Sequence, residues 1–492
     1  MLLPTFKMKN ILREFSLLAL ALLLLAGCEK DYLETLPSDK VASETVFQTT
    51  NGGYVALNGI YRSMWISMAG GADNFGQKAI DIVMDVMGND VVIHGTNYLW
   101  FNNDQRYVAP VSGPRASLTW QYYYRTINNA NNIISRIDAA AGPVADKENI
   151  KGQALALRAH SYFYLVNLWQ HTYKGHENDP GVPLYTVPTQ IGQPRATVQA
   201  VYDQIIADLN QAEALLASKS RPAGLISHIN AQTVKGIRAR VALQMEDWPT
   251  AATKANEARQ GSALMDAPTY AAGFSKFNSE WIWGLEIPAD QTTNLNSFFS
   301  HYDTNVFSYA QAGMQKKITR ALYDQIPAGD IRKALFRTPA TATTTQPAYN
   351  ANKFRVPTAS SWAADYVFMR AGEMYLIEAE ALARQDKAGA AALLETVVKR
   401  SHPAYVAPAA SATALIDEIL LQRRIELWGE GFSLLDIKRL KQGLNRPSGP
   451  GNHLPEIAVV YTLPAEDKAF LYRIPQAEID ANESIGPEDQ NP

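Results

Sequence analysis

Cysteine is the scarcest residue of this 492-residue chain, with a single copy at position 28. One thiol excludes an intramolecular disulfide and every zinc site built from cysteine pairs. An excess of charge of one sign is missing too. Lys and Arg number 45 against 48 Asp and Glu, for a formal net charge of −3. That balance argues against nucleic acid as a partner, since such proteins carry a basic face. After the N-terminal region no apolar run approaches the ~18 residues that cross a bilayer as a helix. Catalytic signatures are scarce: HExxH, GxSxG, a phosphate-binding P-loop and an EF-hand loop are all absent. His171, His176, Glu177 and Asp179 gather in HTYKGHENDP, but without the helical spacing of metal ligands, and read as polar loop residues. A glycosidase would need two carboxylates at a set separation, which 48 scattered acidic residues do not reveal. The chain is therefore not expected to be an enzyme.

What is present begins at the N-terminus. Lys7, Lys9 and Arg13 lead into the apolar run Leu17 to Ala26, about ten residues, the length of a signal-peptide core. Leu25-Ala26-Gly27-Cys28 resembles a bacterial lipobox, in which the thiol is acylated and the cysteine becomes the new N-terminus. On that reading residues 1–27 are a lipoprotein signal peptide and 28–45 a lipidated tether, with Cys28 the lipidation site. Two or three acyl chains hold a body at a membrane, at about 0.8 kcal/mol per buried methylene. An ordinary cleaved signal ending by chance in cysteine is the alternative. The stretch Glu29 to Ser43 is polar, contains Pro37 and shows no helical period, as an extended tether would.

Helices dominate from there. Trp120, Tyr124, Ile127, Ile134 and Ile137 keep one apolar face, as do Ala154, Leu157, Ser161, Leu165 and Leu168. Val198, Val201, Ile205, Leu209, Ala212 and Leu216 form a third stripe that Thr197 is placed to cap, and Asn230 can cap a fourth helix carrying Val234, Ile237 and Val241. ALQMEDWPTAA (Ala242 to Ala252) lines up with ALARQDKAGAA (Ala381 to Ala391). Each reads as a small-residue helix, a polar turn and an Ala-rich helix, the look of tetratricopeptide hairpins. The expected fold is all-α: a tetratricopeptide-like helical-hairpin scaffold with an irregular, loop-rich insertion containing a little β structure. Residues 46–262 form an N-terminal helical part and 263–492 a C-terminal part packed with it in one compact body, with 263–363 the insertion. Within the insertion SEWIWGLEIP (Ser279 to Pro288) alternates like a strand.

Three C-terminal blocks follow in order: DYVFMRAGEMYLIEAEALAR (Asp365 to Arg384), LLQRRIELWGEGFSLLDIKRLKQ (Leu420 to Gln442) and YRIPQAEIDANESIGPEDQNP (Tyr472 to Pro492). Behind a lipobox, and with ETVFQTTNGGYVALNGIYRSMW (Glu44 to Trp65) near the start, they resemble the SusD/RagB family of outer-membrane nutrient-binding lipoproteins. The resemblance spans nearly the whole mature chain. It implies an oligosaccharide-binding, non-catalytic lipoprotein, a SusD-like fold, and a SusC-type TonB-dependent transporter as partner. The protein would be anchored in the outer membrane by its lipid, facing the cell exterior. It implies no cofactor beyond that lipid, although loops rich in Asn and Asp leave room for a structural calcium. Some members handle peptides, so a peptide-binding lid is the alternative, a glycoside hydrolase a lesser one, and a scaffold without small ligand a further one.

Arg423, Arg424, Glu426, Glu430, Asp436 and Arg439 have complementary charges at helical spacings around Trp428. They read as a structural ion-pair network, as do Arg370, Glu373, Glu378 and Glu380. A sugar site needs exposed flat rings with amides and charges at the rim. The first candidate is Asn89 to Tyr107, where Tyr98 and Trp100 are interleaved with Asn102, Asp104 and Arg106. Trp100 is either the platform or a plug holding the loop to the helices. The second is Gln291 to Tyr309, offering Tyr302, Phe307 and Tyr309, and the third is Trp362. Trp281 and Trp283, and Trp120, Trp169, Trp248 and Trp428, are expected in the core.

Overall fold

The computed structural model describes residues 45–67, 71–108, 113–222 and 224–492. Cys28, the signal peptide and all of the tether up to residue 44 lie outside the described residues.

The N-terminal part opens with α1 (Thr50–Ser63), whose first turn is capped by the Thr49 hydroxyl accepting from Gly52 N–H at 3.2 Å. Then come α2 (Gln77–Val86), β1 (Val91–His94), α3 (Pro114–Arg136) and α4 (Val144–Trp169). Nearly every side chain of α4 beyond Ile150 is buried, because α1, α3 and the next long helix all pack on it. After a pair of short strands, β2 (Pro180–Pro183) and β3 (Arg195–Thr197), α5 (Val198–Leu216) starts at Thr197, and α6 (Ala231–Met245) at Asn230. Both caps act as expected, Thr197 accepting from Ala200 N–H at 3.2 Å and Asn230 from Thr233 N–H at 2.9 Å. The final helix of this part is α7 (Trp248–Arg259).

Between α7 and residue 366 no described α-helix exceeds five residues. This stretch carries β4 (Trp281–Leu285) and β5 (Gln315–Ile318); β6 (Tyr366–Arg370) then leads directly into α8 (Ala371–Arg384), α9 (Ala390–Ser401), α10 (Ala412–Glu426) and α11 (Ser433–Arg439). The expected strand at Trp281 pairs antiparallel with β6, and Trp281 and Trp283 are both buried. Trp120, Trp169 and Trp428 are core residues as expected, while Trp248 is only half-buried at the edge of the core.

Successive helices pack as neighbours, α3 to α7 in order, and α7 then lies on α8, which packs on α9 and α10. The two repeat segments form the turns α6–α7 and α8–α9, and each turn carries a left-handed residue, Glu246 (φ 58°) or Asp386 (φ 53°). Buried Ala242, Ala251, Ala255, Ala379 and Ala383 allow the close approach between them. The fold is thus mainly helical with small two-stranded sheets, as expected. It differs in placing β1, β2, β3 and β6 outside the insertion.

The C-terminal charges form a buried network. Arg370 reaches Glu280, Glu426 and Glu430, each at 2.7 Å, and Arg400 (2.6 Å) and Arg332 (3.3 Å) also meet Glu426. Lys353 donates to Glu430 at 2.6 Å. Arg439 bridges Glu380 and Asp436, both at 2.7 Å, Arg423 joins Asp436, and Arg240 of α6 meets Glu373 at 2.6 Å. Burial alone would raise the Glu430 carboxyl, but the charges of Arg370 and Lys353 hold it down to about 2. These side chains fasten β4, β6 and the helices α6, α8, α10 and α11 to one another.

Candidate functional site

The two ring-bearing loops singled out from the sequence meet in space, and a strand pair brings them together. β1 and β5 run antiparallel, with Val91 opposite Ile318 and His94 opposite Gln315. The chain leaving β1 therefore lies beside the chain entering β5. Their close approach depends on two glycines in the left-handed region, Gly95 (φ 90°) and Gly313 (φ 110°). A Cβ on Gly95 would overlap the Gly313 carbonyl, and one on Gly313 would overlap the Asn97 amide. Asn97 in turn donates its side-chain N–H to the Ala312 carbonyl.

Three rings cluster on this base. Tyr98 stacks on Trp100 at 4.5 Å between centroids, with the planes 6° apart. Tyr309 from the other loop stands edge-on to both, 4.3 Å from Trp100 and 5.4 Å from Tyr98. Tyr98 remains 46% exposed, and Phe307 beside Tyr309 in sequence is 74% exposed. Trp100 and Tyr309 are half-buried, and Thr96, Asn97, Asn103 and Asn305 expose polar groups nearby in sequence. His301 backs the cluster: it is fully buried, 5.5 Å from Trp100 and 5.3 Å from Phe101, and hydrogen-bonds the Ala72 carbonyl through Nε2 at 2.7 Å. Burial and the charge of Lys316 hold its pKa well below the usual value, so the imidazole is neutral. Lys316 is buried under Phe101, donates to the Met314 carbonyl at 3.2 Å, and is pushed by burial down to about 7.

The other candidates do not join the cluster. Residues 102–106 are not loop but a short helix, Asn102–Arg106, that turns inward. Asn102 is fully buried, and Asp104 is buried in an ion pair with Arg115 (3.4 Å) while accepting from the Tyr472 hydroxyl at 3.0 Å. Arg106 spends its guanidinium on the Ile457 and Glu456 carbonyls, both at 2.7 Å. Asp104 and Arg106 anchor the base of the loop to the C-terminal segment, while the buried Asn102 amide has no hydrogen-bond partner among the described residues. Tyr302 is fully buried between Phe298 (4.8 Å) and Phe354 (5.0 Å), so it is a core residue and not a ligand contact. Trp362 is half-buried against the core, and none of its ring contacts among the described residues reaches Tyr98, Trp100 or Tyr309. His301 was not foreseen, since a lone histidine in a polar loop carries no signal.

Among the described residues, no group of His, Cys, Asp and Glu is arranged to hold a metal ion, and no helix is long and apolar enough to cross a membrane. His176 lies between Asp179 (2.6 Å) and Glu466 (2.9 Å), a link from its loop to the C-terminal segment.

Residues 31–243 match a family model described as starch-binding associating with outer membrane, and residues 330–492 match the SusD family model. The chain belongs to the SusD/RagB family. The glycan-binding proteins of that family are non-catalytic. A SusD-like carbohydrate binding protein from Bacteroides vulgatus is 29% identical, with a TM-score of 0.79 over 90% of this chain and 98% of that one. SusD-like protein P25 from Formosa agariphila is 27% identical over 54% of this chain, which spans about half (50%) of that relative's length. The fold also matches surface glycan-binding protein A from Bacteroides thetaiotaomicron in complex with laminarihexaose. That likeness has a TM-score of 0.71 at 16% identity, over 90% of this chain and 99% of that one.

Proposed function

We propose that this SusD-like protein is a lipid-anchored receptor at the outer face of the outer membrane. It captures an oligosaccharide on Tyr98, Trp100 and Tyr309 and passes it to a SusC-type TonB-dependent transporter. The observation that carries the reading is the cluster of three mutually packed rings with an exposed outer surface, held rigid by the β1–β5 pair. Sugar C–H faces stack on such rings while rim amides bond the hydroxyls, and no group need change protonation. The relative solved with laminarihexaose supports the ligand class, and Cys28 supports the anchor. Tyr98 offers the outermost face and Trp100 is the layer beneath it.

Isothermal titration with laminarihexaose, maltohexaose and other plant, algal and host oligosaccharides, alongside a peptide pool, tests this. Tyr98→Ala should weaken glycan binding about tenfold with the melting temperature unchanged, since one lost stacking contact is worth ~1 kcal/mol or more. Trp100→Ala should abolish binding and cost ~1–3 kcal/mol of stability, because it supports both neighbours. Heat of binding with the peptides alone would make the chain a peptide receptor instead.

A further inference from the structure

A second concavity, an open cleft of about 670 Å³, lies between α1, the chain before α6 and the chain after β4. Its size falls within the ~300–1,000 Å³ of small-molecule sites. Apolar walls come from Tyr61, Trp65 and Leu225, the last 40% exposed. Polar groups come from Asn58, Arg62 and Glu286, all exposed. Among the described residues the Asn58 amide and the Glu286 carboxylate have no hydrogen-bond partner, so both keep unused capacity at the cleft. Arg62 and Glu286 cancel in charge, which disfavours an ion and suits a neutral molecule with both donors and acceptors.

Two further observations point to a ligand there. Trp65 is only 7% exposed, yet its indole N–H has no partner among the described residues. A buried donor left unpaired is destabilising, and an acceptor from a bound molecule or water would satisfy it. The cleft also shares its framework with the ring cluster. Residues 62–65 and 289–291 meet at the cleft, where Arg62 donates to the Gln291 amide oxygen at 3.2 Å. Residues 72–75 and 299–301 meet behind the rings, through His301 and Ala72. The same two stretches of chain thus form one wall of each site.

We propose that this cleft is a second carbohydrate subsite, taking a neutral sugar unit through the Trp65 N–H, Asn58 and Arg62. The proposal rests on the glycan reading of the Tyr98 cluster and adds a separate contact, so a long glycan engages both and gains avidity. Four proteins probed on an array of polysaccharides and hexasaccharides test it: wild type, Tyr98→Ala/Tyr309→Ala, Asn58→Ala/Arg62→Ala, and Trp65→Phe. Affinities are then measured for the glycan that the wild type retains most strongly. The cleft double variant should lose about tenfold in affinity and Trp65→Phe about threefold, as lost hydrogen bonds predict. The double variant melts as wild type, because Asn58 and Arg62 are exposed, whereas Trp65→Phe removes part of a buried ring and melts somewhat lower. Residual array binding by the Tyr98/Tyr309 variant would be the second sign of an independent subsite. If both cleft variants bind within twofold of wild type while the ring variant loses binding, the cleft proposal is overturned and the glycan reading stands. If the wild type binds no glycan on the array, both are overturned.

Discussion

Tyr302 and Phe307 stand in one loop with opposite fates, the first fully buried and the second 74% exposed. A stretch without period gives no rule for which ring turns inward, so composition could nominate the loop but not the residue. The same holds for Asn102 and Asp104, whose polarity suggested a rim although both are buried. Lys316 was not singled out at all, although it is the most unusual charge near the rings. It is fully buried, with Met314 O as its hydrogen-bond acceptor, Asp73 as the nearby anion, and His301 affected by its charge. Burial lowers its pKa from 10.5 to about 7, so between those values the unfolded chain holds a proton that the folded one releases. Stability from this group therefore rises with pH across that window. Lys316→Met should stabilise the protein by roughly 1–3 kcal/mol at pH 7 and below, with the gain fading by pH ~10. Urea unfolding of the two proteins at pH 6, 8 and 10 measures this. A constant difference at all three would mean that the ammonium is not the cause.

Strand β1 and strand β5 are short, and each reads as ordinary apolar or basic sequence; only their pairing makes a site. Long helices announced themselves because an apolar stripe repeats every turn, and Thr197 and Asn230 marked their starts. Pairing between distant strands leaves no such local trace, so the first and second candidate loops stood as rivals in the sequence although they are halves of one cluster. The glycines were the available clue, but Gly95 and Gly313 look like any turn glycines until their partners are known. Their role can be tested. Gly95→Ala would place a methyl group against the Gly313 carbonyl at φ 90°, so the loops must separate. Glycan affinity should fall tenfold or more, and stability by ~1–3 kcal/mol. Gly261→Ala is the control, since it too has positive φ (79°) but nothing within 4 Å of the added carbon. It should cost no more than ~1 kcal/mol and leave binding unchanged. Equal loss of binding in both variants would remove the close-approach explanation.

At the scale of the molecule, the repeated Ala-Leu and Ala-Ala segments did report the architecture, because close helix contact demands small side chains at fixed places. The charges of the C-terminal blocks reported a network for a related reason: opposite charges a helical turn apart around a tryptophan have few uses besides pairing. Their partners elsewhere, Glu280, Arg332, Lys353 and Arg400, could not be read, since they come from the turn before β4, the rest of the insertion and α9. The network links these elements through carboxylates, two of which, Glu426 and Glu430, are held charged in the fold. Burial opposes the charge of Glu426 and Glu430, and the surrounding Arg370, Arg400, Arg332 and Lys353 overcome it. A carboxyl held at about 2, against an ordinary 4.5, contributes stability that is complete above pH 4.5 and lost as pH falls through 2. For Glu430 that is about 3 kcal/mol. The wild type should lose urea resistance steeply between pH 4.5 and 2, and Glu430→Gln, less stable at pH 7, should show a shallower decline over the same range. Removing Glu426 is the more severe test, because three arginines then share a buried region with one fewer anion. Glu426→Gln should cost ~3–5 kcal/mol at pH 7. If instead it unfolds at the wild-type urea midpoint, the network is not what ties the insertion to the helices.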